Sequence, residues 1–413
     1  MTSGALLREL RGFQWKGHPT DEIQTSVPLD GSRAIEVPTF VNEFWTSKQR
    51  DAHSLHEISY RACFKPQLPR FFIDRLTQPG GVVYDPFAGR GTTPLEAALA
   101  GRVAYANDIN PLTVVLLEPR LAPPALDDIH RRLLTIDLSQ AQDEPADLLT
   151  FYHPTTLRQI CALREYLFAH EHAGTLDAVD RWIRMVAVNR LTGHSPGFFS
   201  VYTLPPNQAT SVVAQHKINK ARQQTPPERD VRAIVVKKSR ALLKDCGGPL
   251  AGFFEDGAAS GGSALLLTGP ASHTPEIPTA SVDLIVTSPP FLNVVQYKYD
   301  NWLRCWFCGI DPAAVAVTMT GNLETWRAEM TRMFHELSRV LRQDGFIAFE
   351  VGEVHGGALR LEHSVLQCGL AAGLEPVLVL LNTQQFTKTA NVWGVSNNRL
   401  GTNTNRVVVF RKS

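Results

Sequence analysis

Residues 80–111 read GGVVYDPFAGRGTTPLEAALAGRVAYANDINP. Val82, Val83 and Tyr84 form a short apolar run, Thr93 to Ala100 is rich in helix formers, Gly101 stops that helix, and Val103 to Ala106 is a second apolar run. That order predicts a strand, a glycine turn, a helix and a second strand. The same alternation returns near the carboxyl end. SVDLIVTSPPF and GFIAFEVGEV are expected strands, separated by an amphipathic helix, WRAEMTRMFHELSRVLRQDG, that runs to Gly345. LRLEHSVLQCGLAAGL then predicts a helix, and PVLVLLNTQQF and NRVVVFRK predict the last strands. From Leu112 to about Lys244 helical periodicity takes over, as in LRQICALREYLFAHEH, before a third strand in GGSALLLTGPASH. The expected fold is therefore α/β, a doubly wound Rossmann-like sheet with a mainly helical insertion. Residues 1 to about 50 read as mixed and irregular.

The glycine turn narrows the ligand. A phosphate-binding loop requires Gly-Lys-Ser/Thr, whereas Gly91 is followed by Thr92 and Thr93. A dinucleotide fingerprint requires a third glycine where Pro94 stands. Asp85 at the strand end repels a pyrophosphate and suits a cation, such as the amino group of an amino acid moiety. Asp108 closes the second strand, where a carboxylate binds ribose hydroxyls. Together they suit S-adenosylmethionine. The plain alternative is a tight strand-to-helix turn with Asp108 as a helix cap.

A second stretch, VDLIVTSPPFLN from Val282 to Asn293, is an apolar strand ending on Ser288, Pro289, Pro290 and Phe291. Two prolines halt any ladder and hold the backbone extended. DPFAGRGTT followed by TSPPF resembles the exocyclic-amino DNA methyltransferases, whose first motif is DPFxGxGTT and whose catalytic motif is Asp/Asn/Ser-Pro-Pro-Tyr/Phe/Trp. The serine form resembles the N4-cytosine branch, and some adenine enzymes share it. RACFKPQLPRFFI resembles the cofactor motif that precedes the glycine loop, ELSRVLRQDGFIAFEVGE the helix and strand after the catalytic motif, and TNTNRVVVFRK the terminal strand.

The resemblance implies cofactor contacts at Phe64, Lys65, Pro66, Asp85, Pro86, Phe87, Gly89, Gly91, Thr92, Thr93, Asp108 and Ile109. It implies catalysis by Ser288, Pro289, Pro290 and Phe291. It divides the chain into an N-terminal segment (1–52), a catalytic domain (53–111 and 264–413) and an insertion (112–263) as candidate target-recognition region. Two features depart from the family. The third strand often ends Gly-Asp, whose Asp binds the adenine amino group, but here Gly269 precedes Pro270. The adenine contact must come from backbone or Ser272. The cofactor motif also precedes the catalytic one, whereas most serine-type cytosine enzymes have the opposite order.

The chemistry of the motif follows from the acceptor nitrogen. Its lone pair is delocalised into the base, so acceptors on its two hydrogens must draw it toward tetrahedral geometry as positive charge develops. The Ser288 hydroxyl and the Pro289 carbonyl are such acceptors, and Phe291 can stack on a base drawn out of the duplex. Nothing resembles a proline-cysteine nucleophile loop, which ring-carbon methylation requires.

The formal net charge of +1 excludes a global field for nucleic acid, so a basic footprint must be local. From His216 to Lys244 nine cations face two acids, Glu228 and Asp230. Lys217, Lys220, Arg222, Arg232, Lys237 and Lys238 are the candidate DNA contacts, the plain alternative being a solvated helix face. Asn293 and Tyr297 either line the catalytic pocket or pack. Gly193 to Gln208 (GHSPGFFSVYTLPPNQ) reads first as a packed loop, with insertion into DNA as its alternative. Cys305 and Cys308 lack a second pair at zinc spacing and read as core cysteines. Absence of an apolar leader or membrane-length run, and six cysteines in 413 residues, give the expectation of a reduced, cytoplasmic protein. The expected partner is double-stranded DNA, with a cognate restriction endonuclease as a further candidate and a monomer or homodimer as the assembly. Rival expectations are adenine N6 methylation, RNA guanine N2 methylation and a non-catalytic DNA-binding subunit.

Overall fold

The computed structural model describes residues 1–28, 34–46, 52–61, 63–204, 209–246, 264–290, 300–315, 322–352, 360–383 and 404–413. Nine strands among them form one sheet: β1 Asp21–Pro28, β2 Ala34–Asn42, β3 Val82–Asp85, β4 Val103–Asp108, β5 Leu265–Thr268, β6 Val282–Thr287, β7 Leu341–Val351, β8 Glu375–Thr383 and β9 Thr404–Arg411. Their order across the sheet is β1-β2-β8-β9-β7-β6-β3-β4-β5. Strands β5, β4, β3, β6 and β7 are mutually parallel, and β9 runs antiparallel between β7 and β8. From β3 the chain moves outward to β4 and β5, then restarts with β6 on the other side of β3. That reversal opens a crevice at the carboxyl ends of β3 and β6, where doubly wound sheets bind ligands.

Period-two alternation builds both faces. In β6, Leu284 and Val286 enter one core with Val83 and Phe346, while Ile285 enters the other with Tyr84 and Ile347. Burial on both faces explains the apolar run Leu284-Ile285-Val286 within this strand. Helices α1 (Ser3–Gly12), α2 (Gln67–Leu76) and α3 (Thr92–Leu99) contribute to the first core. The second core takes helices of the carboxyl-terminal half.

The insertion between β4 and β5 begins with α4 (Leu112–Leu121), followed by α5 (Leu126–Thr135), α6 (Pro154–His172), α7 (Ala178–Val188), α8 (Val212–Arg222) and α9 (Val231–Leu242). Their core also contains Leu55, Ile58 and Tyr60, and the helix α10 (Trp302–Cys308). Helix α11 (Leu323–Val340) and α12 (Leu361–Ala371) complete the second core.

Two expectations need correction. Residues 1 to about 50 are not irregular: they hold α1, a two-residue ribbon (Gln14–Trp15 with His18–Pro19), β1 and β2. Pro38 lies inside β2 opposite Gln24, and that proline hid the strand in the sequence. The amphipathic helix stops at Val340 rather than Gly345. Lys412 Nζ caps the Ser338 and Leu341 carbonyls at 2.6 and 2.8 Å, and Leu341 already pairs with Val282. Among the described residues no helix is long and apolar enough to cross a membrane.

Candidate active site

β3 delivers Asp85 to the crevice, and the chain turns through Gly89 and Gly91 at φ +55° and +78°. Backbone in this region favours glycine. A Cβ on Gly91 would lie 2.6 Å from Leu117 Cδ1, so Gly91 admits α4 to close packing. On Gly89 the nearest atom it would meet is on Tyr60, at 3.6 Å. Asp85 is 1% exposed and accepts from Thr287 Oγ1 at 2.6 Å and the Phe87 amide at 3.1 Å. Burial pushes its carboxyl up to about 7. The Thr287 bond joins the end of β3 to the residue before Ser288.

β4 delivers Asp108, whose two oxygens accept from the Gly89 amide at 2.7 Å and the Asn110 amide at 2.9 Å. Burial raises this carboxyl as well. Two buried arginines stitch the preceding segment to the glycine turn. Arg90 donates to Ile58 O at 2.9 Å and Phe64 O at 3.4 Å, and Arg120 donates to Leu55 O at 3.2 Å and to Arg90 O.

β6 delivers Ser288, whose hydroxyl donates to Glu350 Oε2 at 2.5 Å. Asn405 Nδ2 donates to the other oxygen at 3.1 Å. Burial raises the Glu350 carboxyl, and the two donors oppose that rise. The indole of Trp326 on α11 donates to Pro290 O at 3.1 Å. With this carbonyl engaged, the stiff Pro-Pro segment is anchored beyond Pro289.

A cavity of about 170 Å³ unites these strand ends. Of the residues expected from sequence, Phe64, Asp85, Pro86, Phe87, Gly89, Thr92, Asp108, Ile109, Ser288 and Pro290 line it. Lys65, Pro66, Gly91, Thr93 and Pro289 are not among its lining residues. Pro66 caps α2, and Thr93 Oγ1 donates to Val286 O at 3.0 Å, locking α3 to β6. Phe291, Asn293 and Tyr297 lie outside the described residues. Glu350, Asn405, Thr287, Trp326, Arg90 and Arg120 escaped the sequence, because each acts through a contact made only by the fold.

The basic candidates divide. Lys217, Lys220 and Arg222 are exposed on α8, as is Lys237 on α9, and the Arg222 guanidinium stacks 3.8 Å over Tyr202. Arg232 instead donates to the carbonyls of Leu133 and Ile136 at 2.8 and 2.5 Å, closing the end of α5. Lys238 is 3.7 Å from Glu57, and burial pushes its amine down to about 8. Arg232 thereby ties α9 to the end of α5, and Lys238 ties it to the segment before the glycine turn. Helix α8 is tied to the cavity rim: Ala209 N donates to Asp300 O at 2.9 Å, Trp302 Nε1 to Thr210 O at 3.2 Å, and Asp300 pairs with cavity-lining Arg61 at 2.8 Å. In the 193–204 stretch Phe198 and Phe199 are buried, as a packed loop requires. Cys305 and Cys308 are buried core members whose thiols burial pushes up, to about 11 and 12. Among the described residues no cluster of three or more His, Cys, Asp or Glu side chains could hold a metal.

Residues 20–116 match the family model described as DNA methylase. The type II methyltransferase M.MjaII of Methanocaldococcus jannaschii is 29% identical over 87 residues, which are 21% of this chain and 16% of that protein. Among solved structures, TrmN from Thermus thermophilus aligns over 86% of this chain and 50% of its own, at 14% identity and a TM-score of 0.33. A second structure from Thermus thermophilus, described as a DNA modification methylase and solved with S-adenosyl-L-methionine, aligns over 35% of this chain and 53% of its own, at 21% identity and a TM-score of 0.22. Both structural likenesses are remote. The stretch similar to the DNA methylase family, residues 20–116, holds β1 to β4, the glycine turn and both strand-end aspartates.

Proposed function

We propose that this protein is a DNA methyltransferase that uses S-adenosylmethionine and modifies an exocyclic amino group, the N4 amino group of a cytosine drawn out of duplex DNA. The observation that carries the proposal is the meeting of Asp85, Gly89, Asp108 and Ser288 in one cavity. The lining fits this cofactor. The strand-end carboxylates, Asp85 buried and Asp108 half-buried, favour a cation and hydroxyl donors, and among the described residues the one lining cation, Arg61, is paired with Asp300. S-adenosylmethionine would supply a sulfonium-bound methyl group. Asp85 would neutralise a positive ligand group, and Asp108 would accept from ribose hydroxyls while holding Gly89 N.

Ser288 donates its only hydroxyl proton to Glu350, so its oxygen lone pairs are left to accept from an incoming amino group. The Pro289 carbonyl is the second acceptor, on a backbone stiffened by two prolines and anchored through Trp326. Positive charge that grows on the amino nitrogen is then met by two fixed dipoles, with buried Glu350 behind the first. Exposed Lys217, Lys220, Arg222 and Lys237 would grip phosphates while the base leaves the stack.

The test is to incubate duplex DNA with the protein and S-adenosylmethionine, digest it to nucleosides and weigh them. N4-methylcytosine is expected. Methyladenine alone would move the reaction to adenine N6, and no methylated nucleoside would sink the proposal.

A further inference from the structure

We infer that Glu329, on α11, is the acceptor for the exocyclic amino group of the cofactor's adenine, replacing a carboxylate at the end of the third parallel strand. The inference rests on the S-adenosylmethionine reading of the cavity. It starts from sheet order. Strands β6, β3, β4 and β5 are neighbours, so their ends form a row with about 4.8 Å between strands. Ser288 stands at the first end, Asp85 at the second and Asp108 at the third. A ligand with its reactive group at Ser288, its charged group at Asp85 and its ribose at Asp108 must carry its base onward to β5. The β5 exit is Gly269-Pro270, which offers no side-chain acceptor.

Helix α11 supplies that wall from the other side. The segment after β5 is fastened along it: Thr274 donates to Glu336 at 2.8 Å from both backbone and hydroxyl, and Arg339 donates to Thr274 O at 2.9 Å. Nearer its start, the same helix lines the cavity with Glu329, Met330 and Met333, as do Pro270 and Ala271. Thioether and proline carbons suit the faces of a flat base. An amino group at its edge needs an acceptor. Beyond the two strand-end aspartates, Glu329 is the one lining carboxylate among the described residues, and Arg332 engages its Oε1.

Ser272 is the competing side chain on this wall, and chemistry separates the two. A hydroxyl can donate to an oxo group as readily as it accepts from an amino group, whereas an ionised carboxylate only accepts. The experiment is calorimetry of the whole chain with S-adenosylhomocysteine and with S-inosylhomocysteine, which carries an oxo group in place of the amino group. Wild-type protein should bind the adenosyl compound more tightly. Glu329→Ala should weaken it roughly tenfold or more, the loss expected for a hydrogen bond to a charged group, and leave the inosyl compound unchanged or tighter. Glu329→Gln, which retains a carbonyl acceptor, should fall between. Equal losses for both compounds, or none for either, would overturn the assignment, because only an edge-reading carboxylate distinguishes them. Wild-type protein that binds neither compound would remove the cofactor reading and this inference together; intact wild-type binding with an indifferent Glu329→Ala removes this inference alone.

Discussion

Half-buried Ser288 and buried Asp85 illustrate how two polar groups at neighbouring strand ends divide chemistry from recognition. Ser288 donates to Glu350 and contributes no charge of its own to the cavity. Replacing it with alanine should therefore lower kcat by about 10²–10³, the typical cost of one preorganised polar contact to a developing charge, with the cofactor Kd nearly unchanged. Titration calorimetry beside single-turnover kinetics would check this, and equal losses in both would mark a structural role. Asp85 should behave in the opposite way. Burial raises its carboxyl to about 7, so near neutrality the cavity alternates between protonated and ionised forms. A cationic ligand needs the ionised form. Its binding must then expel a proton below about pH 7, and affinity falls by up to tenfold for each pH unit lost there. Above about pH 8 affinity should level off. Asp85→Asn should bind weakly with a flat profile between pH 6 and 8; a wild-type profile that is already flat would exclude Asp85 from charge recognition.

Helices α8 and α9 show why a basic run cannot be interpreted by counting. Lys217 and Lys220 lie on the exposed side of α8, whereas Arg232 and Lys238 on α9 turn inward to carbonyls and to Glu57. The Lys217→Gln/Lys220→Gln double variant should weaken DNA binding and reduce its logarithmic salt slope by about 2, near 0.9 for each lost phosphate contact. Fluorescence anisotropy over a salt series reads both; an unchanged slope would remove α8 from the interface. Arg232→Ala should leave that slope alone and cost roughly 1.5–3 kcal/mol in urea unfolding, because two carbonyls lose a charged donor. The difference also measures what sequence could reveal. The βαβ unit was legible because its apolar runs, its glycines and its aspartates are local signals within one short stretch. Strands β1 and β2 were not, since their alternation is weak, Pro38 interrupts it, and β2 is fixed by a distant strand. Glu350 sat in a strand that was expected, yet its bond to Ser288 exists only after β6 and β7 align.

At the scale of the molecule, the helical insertion and the sheet are not independent bodies. The insertion's core is completed from outside it: Leu55 and Ile58 precede the glycine turn, and Leu303, Cys305 and Phe307 follow the Ser288-Pro289-Pro290 stretch, all at most 2% exposed. Polar contacts repeat the pattern, with Ser54 Oγ donating to Leu242 O at 2.7 Å and Asp245 accepting from Ser54 N at 2.8 Å. Each large apolar side chain that loses such burial costs about 1.5–3 kcal/mol. Stripping away several approaches the whole stability of an ordinary domain, about 5–15 kcal/mol. Residues 112–263 expressed alone should therefore retain helix by circular dichroism yet melt without a cooperative transition. The full chain should melt once, with the shift in tryptophan emission and the loss of S-adenosylhomocysteine binding falling at the same temperature. A sharp melt of the isolated piece, or two separated transitions in the full chain, would make the insertion a domain in its own right. A single transition would mean that α8 and the cavity rim at Asp300 and Arg61, joined by these contacts, unfold as one unit.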